Sequence, residues 1–341
     1  MINIQENIDI KELTTFKVPA LCHYFTEVYT PEELNEAISF AKNKKLQLLF
    51  LGGGSNILFT DAFRGLIIKL NLKGIKESVE DEEHVIVSAQ AGEEWNSFVQ
   101  YCIVRGYGGL ENLSLIPGNV GTSPMQNIGA YGVEMKDTFY SLQALNIKTQ
   151  EIETFTPALC KFGYRESFFK NEGKDQYVIL EVKFKLTRKN HKLTASYGAI
   201  QEKLNEKNII RPTLKDISDA VVQIRKSKLP DPEILGNAGS FFKNPILPLD
   251  KFQQLQKIFP TIPHYRLPDR QIKIPAGWLI EHAGWKGKKT GDAGVHEKQA
   301  LVLVNYGKAT GKEIFQLSEI IIQDVDKIFN IQLQREVNII I

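Results

Sequence analysis

Residues 115–133 read Leu-Ile-Pro-Gly-Asn-Val-Gly-Thr-Ser-Pro-Met-Gln-Asn-Ile-Gly-Ala-Tyr-Gly-Val, a stretch without a single charged side chain. It is rich in glycine and in small polar residues. A loop of this length seldom stays ordered unless it has a function. Backbone amides and small side chains suit a diphosphate and a flat aromatic ring. The stretch therefore predicts a ligand-binding loop, with a buried structural loop as the alternative.

A second glycine-rich loop comes earlier in the chain, directly after an apolar stretch at residues 46–51. It reads Gly52-Gly53-Gly54-Ser55-Asn56. Consecutive glycines let backbone N–H groups approach phosphate oxygens closely. The loop is neither a GxGxxG fingerprint nor a P-loop, because no Gly-Lys-Ser/Thr follows it. Taken alone, it leaves a phosphate-binding turn and a plain turn equally open.

Periodic patterns predict both helices and strands around these loops. Thr30, Pro31 and Glu33 predict a capped helix to about residue 43. Thr310 and Glu313 predict another, to about residue 329. Further elements are a helix over residues 95–105, a helix over residues 213–224, and strands over residues 65–70, 85–89, 178–186 and 332–341.

Composition excludes several classes of protein. A hydrophobic fraction of 43%, a charged fraction of 24% and a net charge of +2 are ordinary for a globular protein. They argue against a general nucleic-acid binder, which concentrates positive charge. No apolar run is long enough to span a bilayer, and no apolar segment marks a signal peptide. The cysteines lie far apart, without metal-ligand spacing. We expect a cytoplasmic protein that binds no metal, membrane or nucleic acid.

The two glycine loops, in this order, resemble the flavin-binding segments of the vanillyl-alcohol-oxidase (PCMH-type) superfamily. Within it, the chain resembles the UDP-N-acetylenolpyruvoylglucosamine reductases (UDP-N-acetylmuramate dehydrogenases) from about residue 14 to its end. The other segments that carry the resemblance are Gly163-Tyr164-Arg165-Glu166-Ser167, Lys228-Leu229-Pro230-Asp231-Pro232, Gly236-Asn237-Ala238-Gly239-Ser240-Phe241-Phe242-Lys243-Asn244-Pro245, Ala276-Gly277-Trp278-Leu279-Ile280 and Arg335-Glu336-Val337. Ser196-Tyr197-Gly198 resembles the longer type of the family, which closes a tyrosine-bearing loop over the substrate.

The resemblance implies an α+β fold with a two-part FAD-binding region and a C-terminal α+β substrate-binding domain. The implied parts are a first FAD-binding subdomain at residues 1–71, a second at 72–210, and a substrate-binding domain at 211–331. The C-terminal strand, about residues 332–341, is expected to return to the first subdomain.

The resemblance also implies an activity. NADPH would reduce non-covalently bound FAD, which would then reduce UDP-N-acetylglucosamine enolpyruvate to UDP-N-acetylmuramate. This reaction belongs to peptidoglycan precursor synthesis, and so to cell-wall biogenesis, cell shape and cell division. A monomer is expected. The alternatives are a flavin oxidase of the same superfamily acting on another alcohol or sugar, and a non-catalytic flavin-binding protein.

Three residues carry the implied chemistry. Ser240 corresponds to the acid that protonates the substrate. Arg165 would stabilise negative charge on the substrate carboxylate, and Glu336 would orient the developing enolic acid. Without the resemblance, these residues predict a turn serine, a surface ion-pair partner on an alternating strand, and a charge on a solvated strand face.

The implied binding residues fall into two sets. Those for FAD are Gly52, Gly53, Gly54, Ser55, Asn56, Pro117, Gly118, Gly121, Thr122, Ser123, Gln126, Asn127, Gly129, Ala130 and Tyr131. Those for the substrate are Tyr197, Lys228 and Asn244. Asn119 departs from the family pattern, in which cysteine or alanine is frequent. His282 and His296 are interpreted as structural residues or residues at the rim of the site.

Overall fold

The structure, a computed structural model, describes residues 2–341 and divides into two compact units. The first unit comprises Met1–Ile8, Cys22–Gly53 and Arg64–Ser227. The second comprises Asp9–Leu21, Gly54–Phe63 and Lys228–Ile341. The chain thus passes from one unit to the other within the glycine loop, between Gly53 and Gly54. The three-domain division expected from the resemblance is a different partition and stays a prediction.

The helices and strands are numbered here in chain order. The helices are α1 Pro31–Lys44, α2 Trp95–Val104, α3 Pro157–Cys160, α4 Gly198–Glu206, α5 Leu214–Lys228, α6 Leu249–Ile258, α7 Ala276–His282 and α8 Gly311–Phe329. The strands are β1 Gln5–Asp9, β2 Leu21–Val28, β3 Leu48–Leu51, β4 Ile57–Phe59, β5 Phe63–Leu70, β6 Ile75–Val79, β7 His84–Gln90, β8 Gly129–Ala130, β9 Val133–Glu134, β10 Phe139–Asn146, β11 Ile152–Phe155, β12 Tyr177–Thr187, β13 Gly236–Ser240, β14 Ile246–Pro248, β15 Tyr265–Leu267, β16 Gln271–Lys273, β17 Lys289–Thr290, β18 Ala293–Val295, β19 Val302–Asn305 and β20 Asn338–Ile340.

The first unit contains two larger sheets. One has the order β1-β2-β5-β3, with β3 and β5 parallel, and the other has the order β11-β10-β12-β7-β6. Strand β12 pairs with β10 and β7 in antiparallel fashion, so the alternating stretch predicted at residues 178–186 lies at the centre of its sheet. Trp95 and Phe98 of α2 pack against Phe184 of β12 in the core of this unit.

The second unit is organised around helix α8. Its residues Ile314, Leu317, Ile321, Val325 and Phe329 are buried in one hydrophobic cluster, and their spacing of three or four places them on one face. The sheets of this unit have the orders β13-β19-β18-β17 and β14-β16-β15, and β20 pairs in parallel with β4. The apolar face of α8 is therefore the face that packs into the hydrophobic core of the second unit.

Both predicted helix caps are present. The Thr30 hydroxyl accepts a hydrogen bond of 3.2 Å from the N–H of Glu33, and the Thr310 hydroxyl accepts one of 3.3 Å from Glu313. At Thr310 the Glu313 carboxylate accepts the Thr310 N–H at 2.7 Å, which completes the capping box. Thr30 and Glu33 also have the sequence spacing of a capping box, but none forms there, because the Glu33 carboxylate accepts the N–H of Tyr29 instead.

The predicted C-terminal strand was too long. Only Asn338–Ile340 is a strand, and it pairs with β4, at residues 57–59 of the chain. The residues before it alternate in exposure, with Ile331 and Leu333 buried and Gln332 and Gln334 exposed, although they form no strand. This segment has only an isolated bridge, between Arg335 and Phe242, so the alternation of apolar and polar residues predicted a strand that does not form.

All three cysteines of the chain, Cys22, Cys102 and Cys160, are buried and unpaired. Burial raises the pKa of each thiol, in the case of Cys160 to about 12. Each thiol is therefore protonated at neutral pH and packs as a small apolar side chain. Among residues 2–341, no helix is both long enough and apolar enough to cross a membrane.

Candidate active site

In the first unit, the two glycine loops lie against each other. A Cβ atom on Gly53 would lie 2.7 Å from Oδ1 of Asn119 and 2.9 Å from Cα of Gly118. A Cβ atom on Gly52 would lie 2.7 Å from the methyl carbon of Thr122. At Gly53 the approach of the Gly118 backbone requires glycine, and at Gly52 a Cβ atom would displace the Thr122 side chain. The absence of side chains from the first loop is thus what allows the second loop to approach it.

Hydrogen bonds within the second loop fix its shape. The hydroxyl of Thr122 donates to the carbonyl oxygen of Asn119 at 2.8 Å, and the buried hydroxyl of Ser123 donates to that of Val120 at 2.7 Å. The Asn119 amide donates to the carbonyl oxygen of Gly92 at 2.8 Å. Asn119, the departure from the family pattern, therefore ties the loop to the preceding turn, a role that no local sequence signal indicated.

This pair of loops fits FAD. Where they meet, the groups available to a ligand are glycine backbone and neutral side chains, a set that favours an anionic diphosphate over a cation. Of the predicted FAD residues nearby, Pro117 and Thr122 are exposed and Gln126 is half-buried. Gly129 and Ala130 form β8, which pairs with β9. Gly121 packs closely on Ala91, where an added Cβ atom would lie 2.5 Å from the alanine Cβ.

The remainder of the first glycine loop belongs to the second unit. Gly54 has a φ of 62°, and a Cβ atom there would overlap the carbonyl oxygen of Leu13. The carbonyl oxygen of Gly54 accepts the N–H of Thr15 at 3.1 Å. Gly54 is therefore fixed by both its backbone conformation and its surroundings.

The predicted strand at Arg165 was wrong. Arg165 lies in a tight turn closed by the bridge between Gly163 and Glu166, and its φ is 55°. Its guanidinium donates to the carbonyl oxygen of Gly129 at 2.8 Å and to that of Asn127 at 3.4 Å. The alternating sequence therefore forms a turn, and this turn places the half-buried Arg165 side chain against the second glycine loop.

Tyr131 and Tyr197, predicted for FAD and substrate respectively, meet in the first unit. Their ring centroids are 5.4 Å apart at an interplanar angle of 89°. The buried Asn112 amide donates to the carbonyl oxygens of Tyr131 at 3.2 Å and Thr194 at 2.8 Å, so it joins the segments that carry the two rings. Burial raises the pKa of Tyr131, which keeps its phenol neutral at physiological pH.

Arg225 is a residue that sequence reasoning missed. It lies on α5, and its Nε donates to the carbonyl oxygen of Leu115 at 3.2 Å, at the start of the second glycine loop. Burial lowers its pKa, and the positive charge of Arg165 lowers it further. The half-buried Arg225 remains a cation, because the ordinary pKa of the guanidinium is above 12. Only one indication of this role was present in the sequence, namely that Arg225 lies next to the buried positions of an amphipathic helix.

In the second unit, Ser240 ends a distorted strand. Strand β13 pairs with β19 at Asn237 and Ser240, and its register shifts between these residues. The buried Asn237 side chain accepts the N–H of Gly239 at 2.9 Å and donates to the carbonyl oxygen of Leu235 at 2.8 Å. Bulges of this kind redirect a side chain. The bulge, held by Asn237, thus sets the position of the half-buried Ser240.

A backbone hydrogen bond connects Glu336 to Phe241, the residue that follows Ser240. The Glu336 N–H donates to the carbonyl oxygen of Phe241 at 2.8 Å. Its carbonyl oxygen accepts the Asn56 amide at 3.2 Å. Glu336 lies outside any strand, so the solvated strand face that the sequence pattern alone predicted for it was wrong. The second unit thus brings together Ser240, Glu336 and the Ser55–Asn56 part of the glycine loop.

The other two predicted substrate residues, Lys228 and Asn244, belong to the second unit. Lys228 is exposed at the last residue of α5. The Asn244 side-chain oxygen accepts the N–H of Ala276 at 2.9 Å, at the first residue of α7. That bond fixes the orientation of the Asn244 amide.

The two histidines lie in different surroundings. The His282 ring stacks on Trp278, with centroids 3.6 Å apart. His296 is buried, and burial lowers its pKa, so it is neutral at physiological pH. His282 is exposed, and the interpretation of both histidines as structural residues or residues at the rim of the site stays a prediction.

Two protein families match this chain, one in its N-terminal half and one in its C-terminal part. Residues 23–155 match the FAD binding domain family, and residues 231–340 match the family described as UDP-N-acetylenolpyruvoylglucosamine reductase, C-terminal domain. The fold resembles a crystal structure of UDP-N-acetylenolpyruvylglucosamine reductase from Thermus caldophilus, with a TM-score of 0.68 at 22% identity over 99% of both chains. The expected α+β fold, with an FAD-binding region and a C-terminal domain, is confirmed.

Two curated relatives extend over the whole chain. The UDP-N-acetylenolpyruvoylglucosamine reductase of Flavobacterium johnsoniae is 54% identical over 339 residues, which is 99% of this chain and 100% of that protein. The protein of the same name from Pseudomonas fluorescens is 44% identical over 338 residues, 99% of each. With matches of this extent and identity, the chain belongs to the UDP-N-acetylenolpyruvoylglucosamine reductase family.

Proposed function

We propose that this protein reduces UDP-N-acetylglucosamine enolpyruvate to UDP-N-acetylmuramate, with FAD as bound cofactor and NADPH as reductant. The reaction supplies a peptidoglycan precursor and so serves cell-wall synthesis. The observation that carries the proposal is the match of residues 231–340 to the C-terminal domain of these reductases, since that domain contains both Ser240 and Glu336. FAD, held by the two glycine loops, would supply the hydride-transfer chemistry that connects NADPH with the enolpyruvyl group.

Arg165 is proposed to stabilise the substrate carboxylate. Addition of hydride to an enol ether conjugated with a carboxylate increases negative charge on that carboxylate. A guanidinium offers a permanent charge and a planar pair of donors for it. The carbonyl oxygens of Asn127 and Gly129 accept hydrogen bonds from the Arg165 side chain, which supports the proposal because they restrict its rotation.

Ser240 is proposed to donate the proton that completes the reduction, and Glu336 to hydrogen-bond the developing enolic acid. A hydroxyl is a weak acid, but the acceptor is a carbon with strong enolate character, so the substrate supplies the driving force. The hydrogen bond from Glu336 to Phe241 supports this pairing of roles, because it ties the two segments through their backbones.

The binding residues are proposed on the same basis. The two glycine loops would hold the FAD diphosphate and ring, with Ser55 and Asn56 as further donors. The Asn127 side chain is excluded from this role, since both of its amide hydrogens and its amide oxygen have partners within the protein. Tyr197 would cover the substrate, Lys228 would pair with its diphosphate, and the Asn244 amide would donate a hydrogen bond to it. We further propose a cytoplasmic monomer.

An anaerobic absorbance trace of the flavin tests the proposed function. NADPH is added first, and UDP-N-acetylglucosamine enolpyruvate second, with UDP-N-acetylglucosamine as the matched control that lacks the enolpyruvyl group. Bleaching followed by stoichiometric recovery only with the enolpyruvyl compound supports the proposal. Recovery of the absorbance only on admission of air would point to a flavin oxidase. A protein that binds no FAD would contradict the proposed function.

A further inference from the structure

Side-chain hydrogen bonds connect the turn at Asn127 with the turn at Arg165. Both have left-handed backbone conformations, with φ values of 44° and 55°. The Asn127 side chain donates to the carbonyl oxygen of Gly163 at 3.0 Å, in the turn that carries Arg165. In return, the Arg165 side chain donates to the carbonyl oxygens of Asn127 and Gly129. The two turns therefore exchange hydrogen bonds in both directions.

The Asn127 side chain is fully used within the protein. It is completely buried, its Nδ2 donates to Gly163 and to the Glu134 carboxylate at 3.1 Å, and its Oδ1 accepts the N–H of Lys136 at 3.0 Å. Both amide hydrogens and the amide oxygen thus have partners. Exchange of the nitrogen and oxygen would bring the oxygen against two acceptors, so the surroundings fix the amide orientation. No donor of this side chain is left for FAD.

The Glu134 carboxylate completes the arrangement. It accepts from Asn127 and also forms an ion pair of 2.8 Å with Lys136. Removal of the asparagine side chain would take one donor from each acceptor. The Gly163 carbonyl oxygen would keep only the N–H of Glu166, at 3.3 Å, and the carboxylate would keep Lys136. A left-handed turn at a non-glycine residue is intrinsically unfavourable and persists only when its surroundings hold it. Loss of the Asn127 bonds should therefore release the turn that carries Arg165.

We propose that Asn127 is a positioning residue, which holds the Arg165 guanidinium where the substrate carboxylate is bound. The inference rests on the proposed role of Arg165 and changes the expectation that the Asn127 side chain binds FAD. Asn127 acts through Arg165 and does not contact the substrate. Its loss should weaken substrate binding and leave FAD binding and reduction by NADPH intact.

The test replaces Asn127 with glycine, which adopts a positive φ readily, so that only the side chain is lost. Asn208→Gly is the matched control, since Asn208 has a φ of 56° in an exposed turn. Three quantities are measured: the FAD dissociation constant by fluorescence, the rate of flavin reduction by NADPH, and the substrate dissociation constant of the oxidised enzyme by calorimetry. For Asn127→Gly the substrate constant should rise about tenfold, and the other two should change less than about twofold. Asn208→Gly should change none of them.

A double-mutant cycle separates positioning from a general structural role. In an Arg165→Ala background, Asn127→Gly should weaken substrate binding no further. An equal additional loss there would overturn the inference, and so would a raised FAD constant with an unchanged substrate constant. If Asn127→Gly does not fold, Asn127→Asp takes its place, because aspartate keeps the shape and the Lys136 bond but lacks the amide donors.

The outcome for the wild-type enzyme distinguishes the two proposals. If the enolpyruvyl substrate does not reoxidise the flavin of the wild-type enzyme, the proposed function fails. If the wild-type enzyme turns over and Asn127→Gly binds substrate equally well, the inference about Asn127 alone fails.

Discussion

The backbone N–H of Glu336 donates a hydrogen bond of 2.8 Å to the carbonyl oxygen of Phe241. Since Phe241 directly follows Ser240, the proposed proton donor and the proposed carboxylate lie on backbones that are bonded to each other. Phe241 is itself fully buried. Motion of one segment relative to the other would break a hydrogen bond beside a packed aromatic side chain, so their relative position is well defined.

Ser240→Ala should separate the two half-reactions. Reduction of the flavin by NADPH needs no proton from Ser240 and should proceed at nearly the wild-type rate. Reoxidation by the enolpyruvyl substrate should slow by a factor of roughly 10² or more, the usual contribution of a general acid. Stopped-flow absorbance measures both steps, with the exposed Ser78→Ala as control. An equal slowing of both steps would remove Ser240 as the proton donor.

Gly54→Ala and Gly291→Ala should differ although both residues have a φ of 62°. The left-handed backbone costs an alanine about 1 kcal/mol or slightly more at either position. Only at Gly54 does the added Cβ atom also overlap a backbone atom, while Gly291 has no atom within 4 Å of it. We expect a clearly larger fall in the melting temperature for Gly54→Ala, measured without FAD. Equal falls would mean that the Leu13 segment moves away at little cost.

Thr310→Ala should destabilise the second unit by about 1 kcal/mol, the usual contribution of a helix N-cap. The substitution removes the acceptor for the Glu313 N–H at the start of α8, the longest helix of the described chain. Thermal unfolding followed by circular dichroism measures the effect, with the exposed Thr261→Ala as control. Equal melting temperatures for the two variants would show that the cap contributes little here.

The same cap should make stability depend on pH. Hydrogen bonds from the backbone and hydroxyl of Thr310 lower the pKa of Glu313 below its ordinary value. A lowered pKa in the folded state stabilises the protein above the unfolded pKa of about 4.3, and this stabilisation is lost as the pH falls through the folded pKa. The stability difference between wild type and Glu313→Gln should therefore be constant near neutrality and shift against the wild type in acid. A difference that does not change with pH would show that Glu313 titrates normally.

The sequence predicted features whose causes are local. The caps at Thr30 and Thr310 and the alternation of residues 178–186 depend on neighbours within a few positions, and their elements lie close to the predicted bounds. The resemblance supplied the site residues, which periodicity alone would have assigned to surface or turn positions. Both sources together gave the fold class and the identity of the cofactor.

The features that the sequence did not reveal depend on distant residues. The turn at Arg165 is stabilised by bonds to residues 36 and 38 positions away, and its sequence imitates a strand. The role of Asn127 depends on a bond to a residue 36 positions away. The bulge at Ser240 needs the partner strand β19, whose position no local pattern reveals. Long-range hydrogen bonds leave little trace in local periodicity, so only the folded chain discloses them.

The burial of all three thiols makes the wild-type chain a convenient background for spectroscopic labelling. Maleimide reagents react with thiolates at the surface, and Cys22, Cys102 and Cys160 offer neither exposure nor a lowered pKa. A single cysteine introduced near the exposed Tyr197, for example by Glu202→Cys at an exposed position of α4, should therefore carry the only dye on the folded protein. Its fluorescence would test whether the segment that carries Tyr197 moves during turnover, without removal of any native cysteine.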